Sequence, residues 1–353
     1  MKRSLYIVMA LLCVVCSCNP NQESPSTGMK VGKGVFVLNE GTYMYANSSL
    51  SFYDPMADTS SNNLFYLVNG SPIGDVGQSL AMINKDLYIV VNNSNYIYKV
   101  NAETMVCDTM HPYLLTDFYS PRYMLPLSAE KAYVSDLSGL NLWVINPKEM
   151  THTGSIVMDK PTETMVQVGQ EVYVTNWSRY YHPEIQNNTV QVVDAVNDVK
   201  VAEIVVGYEP NGMVVDKDGF VWVMCEGDVN DFDMPSTLWR IDPMTKQATL
   251  VRTFPKKALN LAIDPSGTVL YYLHGEDVYR ASIYAADHDD ASFCIASDGR
   301  TFYKISVNPY NGDLYVSDAK NYMVSGTVYR YSSDGLLLSS FNAGICPGYF
   351  LFN

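Results

Sequence analysis

Apolar and aromatic residues alternate with polar ones in short runs along nearly the whole chain. At seven places such a run stops at a turn residue of one kind: Tyr53-Asp54, Val100-Asn101, Ile145-Asn146, Val193-Asp194, Ile241-Asp242, Ala281-Ser282 and Tyr331-Ser332. The steps between those turn residues are 47, 45, 48, 48, 40 and 50. Alternation at period two predicts half-buried strands, and a repeat of this length made of short strands predicts β-propeller blades. The expected fold is all-β, a seven-bladed β-propeller.

Each repeat carries two further strands ahead of the one that ends in the turn. One is an aromatic-centred run such as Leu87-Tyr88-Ile89-Val90, Ala132-Tyr133-Val134-Ser135, Val172-Tyr173-Val174-Thr175, Val221-Trp222-Val223-Met224 or Leu314-Tyr315-Val316-Ser317. The other is an inner run such as Met213-Val214-Val215 or Ile305-Ser306-Val307, closed by Lys217-Asp218-Gly219, Pro265-Ser266-Gly267 or Tyr310-Asn311-Gly312. Glycine in those closers supplies the positive φ that a hairpin turn needs. The first repeat lacks an inner strand, while Pro347-Gly348-Tyr349-Phe350-Leu351-Phe352 at the other end lacks a partner. Pairing the two closes the ring and removes both sheet edges. The weakest copy is the sixth, with Ser282 as its turn residue and a step of 40; it is expected to contribute least to a ligand cup.

In this architecture the loops after the second strand and the loops entering the inner strand crown one face of a central channel. The first set includes Asn39 to Tyr45, Asn92 to Tyr96, Asn176 to His182, Glu226 to Asp228 with Asp231 to Asp233, and Asp318 to Tyr322. The second set supplies Gln78, Arg122-Tyr123, Glu163-Thr164, Asn211, Lys257 and Tyr303. Asn, Asp and Gly suit any loop, so each residue alone says little. Tyr, Trp and Asn together give rigid contact area with adaptable hydrogen bonds, which marks a recognition surface. The Asn176 to His182 loop stands out, because its aromatic and imidazole groups have no core to fill.

The first 17 residues place Lys2 and Arg3 ahead of the apolar run Leu5 to Val15, a secretory signal too short to anchor as a membrane span. Val15-Cys16-Ser17-Cys18 resembles a bacterial lipobox, with Cys18 as the lipidated residue. Residues 18–33 then form a polar tether and 34–353 the propeller. Loss of the signal takes the formal charge from −14 to −16, which argues against nucleic acid as a partner. Cys107, Cys225, Cys294 and Cys346 lie in different blades without metal-ligand spacing and read as small apolar residues.

The stretches Val35 to Gly41, Ser49 to Pro55, Val90 to Ser94, Ser120 to Tyr123 and Gly326 to Ser332 resemble those of YncE-like seven-bladed surface lipoproteins of Bacteroides-type bacteria. The resemblance covers nearly the whole mature chain and is nearest to the BtuG group. It implies an outer-membrane, lipid-anchored protein that captures a cobamide of the vitamin B12 type and passes it to a BtuB-like TonB-dependent transporter. No cofactor is implied beyond the cobamide as ligand. A corrin ring is a broad disc edged with carboxamides, so aromatic side chains can cover its faces while amides and charges address its rim. On that geometry Tyr43, Tyr45, Trp177, Tyr180 and Tyr322 are expected to pack on the ligand. Asn93, Arg122, Asn176, Arg179 and Glu226 would address amides and phosphate, with Glu40 and Asp318 beside them. No binding residue carries over by motif. Cys18 is followed by a single carboxylate, Glu23, rather than an acidic run. The resemblance implies an anchor at the cell surface, and the missing acidic run leaves the periplasmic face as the alternative.

A rival reading is a metal-dependent, lactonase-like hydrolase, with Glu40, Asn92, Asn176, Glu226 and Asp318 converging on a cation. A third is a protein-interaction scaffold, with Asp287-His288-Asp289-Asp290 as a contact, a weak calcium site or a solvated hairpin. No nucleophile and base declare themselves, so the expectation is a binding protein rather than an enzyme.

Overall fold

The computed structural model describes residues 30–107, 113–114, 120–177, 180–228, 234–284 and 292–353. Cys18, the signal segment, most of the tether, Arg179, Asp231 to Asp233 and Asp287 to Asp290 lie outside them. The described strands form seven four-stranded antiparallel sheets in which sequence neighbours pair in order. We call these blades 1 to 7 and the strands inner, second, third and outer. Blade 1 takes its inner strand from the C-terminus: Pro347–Phe352 pairs with Val35–Asn39, Val37 lying opposite Phe350. Asn353 secures the seam, accepting from the Gly34 N–H at 2.7 Å and donating to the Gly32 carbonyl at 3.0 Å.

The repeated turn residue has one job. Asp54 accepts the backbone N–H groups of Met56 and Ala57, and Asn101, Asn146 and Asp194 accept the corresponding pairs in their own blades. Asp242 accepts from Met244, Ser282 from Tyr284 and Ser332 from Leu336. A carboxylate or amide two residues ahead folds the chain into a tight turn by imitating a backbone acceptor. The hairpin glycines Gly219, Gly267 and Gly312 hold φ of 86°, 68° and 79°.

The strands are more deeply buried than their alternation predicts. Ala132–Asp136, Val221–Cys225 and Leu314–Asp318 are buried at every position. The reason is that the core consists of seven apolar clusters, each shared by two neighbouring blades. Both faces of every blade are therefore covered, and a run with hydroxyls on one face still vanishes from solvent.

In four blades the aromatic at the centre of the second strand ties the blade to the next. Tyr88 donates to the Pro147 carbonyl at 3.0 Å and Tyr271 to that of Ser333 at 3.3 Å. Tyr133 bonds Asp198, and Tyr173 accepts from Lys246. Each hydroxyl thus reaches the lower turn of a neighbouring blade, a buried polar tip on an apolar body. Trp222 takes this position in blade 5 and donates to Asp216 of its own blade.

The Val31 N–H donates to the Glu103 carbonyl at the lower turn of blade 2. The N-terminal segment therefore joins the propeller at the end opposite the candidate face. Cys225, Cys294 and Cys346 are free thiols, with Cys225 and Cys346 buried. No helix among the described residues is long and apolar enough to cross a membrane.

Candidate functional site

Six inner strands begin with a β-bulge, and the bulge aims side chains at the upper mouth of the channel. The register skips Gly348, Gln78, Arg122-Tyr123, Asn211, Asn260-Leu261 and Tyr303-Lys304 in turn. An extra residue in one strand is left unpaired and turned out of the ladder. Hydroxyls near the end of the second strand replace the missing backbone acceptors: Ser135 accepts the Tyr123 N–H, Thr175 that of Thr164 and Ser317 that of Lys304. Neighbouring bulges are also bonded, Ser79 to Arg122 at 2.7 Å and Asn260 to Tyr303 at 2.8 Å. Blade 6 therefore contributes Asn260 to the wall, contrary to the expectation that it would matter least.

Two groups of side chains occupy the mouth. Over blades 3 to 5, Arg122 forms a two-pronged pair with Glu163 through contacts of 2.8 and 2.8 Å. Burial alone would lower the pKa of Arg122, but the Glu163 carboxylate more than reverses this and keeps the guanidinium charged. The same guanidinium lies 5.4 Å from the centre of the Trp177 ring, a cation–π contact. Asn211 donates to Glu226 at 2.9 Å. Trp177 Nε1 also faces the Glu226 carboxylate, without closing a hydrogen bond of normal geometry. Burial pushes the Glu226 carboxyl up, partly offset by Lys304, Asn211 and Lys257.

Over blades 7, 1 and 2, Tyr303 donates to Glu40 at 2.8 Å and stands edge-on to Tyr322 with ring centres 5.7 Å apart. Glu40 rests against Gly348, where any Cβ would collide with its carboxylate. Burial raises its pKa, opposed by Lys304, Tyr303 and Arg122. Asp75 bonds both Asn93 and the Met44 N–H, which fixes the loop that presents Tyr43 and Tyr45. Thr42 donates to the Tyr322 carbonyl, joining that loop to the corresponding one of blade 7. Tyr43, Tyr45 and Tyr180 stand 59, 65 and 76 % exposed.

The structure thus brings Tyr43, Tyr45, Asn93, Tyr322 and Glu40 together on one side and Arg122, Trp177 and Glu226 on the other. Two expected site residues are committed to the fold. Asn176 is fully buried, donating to Pro161 and Gln191 and accepting from Thr189. Asp318 accepts from the Thr301 and Lys320 N–H groups. Asn92 likewise bonds Ser120 and Pro121. Among the described residues no three His, Cys, Asp or Glu side chains converge in a way that could hold a metal ion. Lys304 and Asn260 escaped the sequence reading. The hydroxyl of Ser317, in the same register as Ser135, is the signal that would have found Lys304.

Below the mouth the channel holds a cavity of about 320 Å³, lined by inner-strand residues including Tyr123, Asn211, Asn260, Lys304 and Tyr349. Fold and site together define a seven-bladed β-propeller with a polar channel under an aromatic upper rim. The chain matches the family described as "Domain of unknown function (DUF5074)" over residues 33–350 and belongs to it. No curated protein matches the chain. Among solved structures it is similar to a quinonprotein alcohol dehydrogenase-like protein of Bacteroides thetaiotaomicron, at 17 % identity and TM-score 0.70 over 93 % of this chain and 80 % of that one. A hypothetical selenium-binding protein of Sulfolobus tokodaii matches at 10 % identity and TM-score 0.70, over 94 % and 96 %. A candidate 6-phosphogluconolactonase of Bacteroides uniformis matches at 14 % and 0.62, over 91 % and 100 %. At these identities the likeness is one of fold.

Proposed function

We propose that this protein binds a cobamide on the upper face of the propeller and delivers it to a TonB-dependent outer-membrane transporter, acting as a lipid-anchored binding protein and not as an enzyme. The observation that carries the reading is the pairing of exposed tyrosines around the rim with a fixed polar floor. Tyr43, Tyr45, Tyr180 and Tyr322 offer flat apolar area, while Asn93, Glu226 and the Asn211 amide offer donors and acceptors for a carboxamide edge. The floor is rigid, because bulges and inter-blade hydrogen bonds hold it before any ligand arrives, so little ordering is lost on binding. The described chain enters the propeller at the lower end, opposite this face.

Isothermal titration of the protein with cyanocobalamin tests the reading. Saturable binding at micromolar ligand or below is expected; no heat of binding at that concentration overturns it.

A further inference from the structure

We propose that the central channel is a second binding site, separate from the upper rim, for a small carboxylate anion held by Lys304 and Tyr349. The proposal does not rest on the cobamide reading.

Three cations stand at the channel mouth among the described residues, and two are already engaged. Arg122 is closed onto Glu163, and Lys257 donates to the carbonyls of Glu226 and Gly227. Lys304 is different. Its backbone N–H is fixed by Ser317, but its ammonium has no hydrogen bond or ion pair, only the flank of the Tyr303 ring at 5.5 Å. Glu40 and Glu226 both feel its charge, and neither reaches it within salt-bridge distance. A half-buried ammonium of this kind is costly unless an acceptor meets it, and a ligand can be that acceptor.

The remaining cavity wall is rich in donors. The Tyr349 hydroxyl projects from the inner strand of blade 1 and has no hydrogen-bond partner among the described residues. Burial raises the pKa of Tyr349 and Tyr123 above the usual phenol value, so both keep their protons. An ammonium and two phenols around one cavity call for an acceptor-rich guest. With a liquid-water share of about 30 Å³, the cavity volume of about 320 Å³ has room for roughly ten heavy atoms. Acetate, succinate and glutarate fall within that size; a corrin does not.

The test titrates the full-length chain, without cobamide, with acetate, succinate and glutarate and with their neutral amides. At least one carboxylate is expected to bind about tenfold more tightly than its amide, because only the anion meets the ammonium. Lys304→Gln should weaken that binding about tenfold, and Glu226→Gln, which removes a competing negative charge and keeps the bond to Asn211, should strengthen it. The opposite signs distinguish a binding role from damage to the fold. Tyr349→Phe should weaken binding a few-fold through one lost hydrogen bond. Carboxylates that bind no better than their amides, or a Lys304→Gln variant with unchanged affinity, overturn the proposal. Carboxylate binding stands if cyanocobalamin fails to bind, and cyanocobalamin binding stands if the carboxylates fail.

Discussion

The two ends of the propeller are built on opposite plans. At the lower end one solution recurs: an Asp, Asn or Ser accepts the N–H groups of its own turn, and a second-strand tyrosine bonds the turn of a neighbouring blade. At the upper end the backbone recurs as a bulge, but the residue on it changes from blade to blade, through Gly348, Gln78, Arg122, Asn211, Asn260 and Lys304. The lower end holds the ring together, where any blade faces the same problem. At the upper end each blade contributes different chemistry on the same scaffold, as the proposed ligand, which lacks sevenfold symmetry, would require.

That contrast makes the upper floor vulnerable to single substitutions in a way the lower rim is not. Arg122→Ala has the largest expected effect, since it leaves Glu163 buried and unpaired and removes the cation from the Trp177 face. Breaking one partner of a buried pair costs about 3–5 kcal/mol, readable as a lowered urea midpoint. Gly348→Ala comes next. Its Cβ would displace Glu40, at a cost of roughly 1–3 kcal/mol for an overpacked site. At the lower end, Tyr88→Phe leaves the Pro147 carbonyl without its donor and should lower stability by about 1 kcal/mol, with cyanocobalamin affinity unchanged. If Tyr88→Phe weakens the ligand as much as the upper-face variants do, the division between the two ends fails.

Tyr180→Ala reverses the pattern. An exposed side chain is expected to shift stability by no more than about 0.5 kcal/mol, while titration shows cyanocobalamin binding roughly tenfold weaker. The smallest effect is that of pH on the floor. Burial lifts the carboxyls of Glu40 and Glu226 above their usual 4.5 in the folded protein, so the native state holds protons that the unfolded chain has released. Stability contributed by these groups is present below that value and is lost as pH rises through their native pKa. Glu40→Gln and Glu226→Gln should each flatten the fall in denaturation midpoint across that window.

The blade count, the turn residues and the ring closure were legible from the chain because each rests on local chemistry that repeats. Asp194 bonds N–H groups two and three residues on, and Gly267 must take a positive φ, whatever surrounds them. The tyrosine-rich second strands were equally visible, yet their meaning was not. Alternation marks Tyr88, Tyr133 and Tyr173 only as members of half-buried strands, whereas the neighbouring blade's turn meets each hydroxyl.

The candidate site was only partly legible. Tyr43, Tyr45, Tyr180 and Tyr322 were found because they sit in loops after the second strand, and loops of one register share one face. Asn176 sits in such a loop too, but its partners Pro161 and Gln191 come from elsewhere in the blade and turn it inward. Lys304 was missed for the converse reason: it lies within a strand pattern, and only the bulge opposite Ser317 turns it toward the channel.

Architecture followed from the order of residues alone, since turn capping and strand alternation act over a few positions and repeat. Which polar groups meet, which are consumed by the fold and which remain free to hold a ligand depended on pairs far apart in the chain, such as Tyr303 with Glu40 and Arg122 with Glu163. Packing of neighbouring blades brings Arg122 to Glu163, and closure of the ring brings Tyr303 to Glu40.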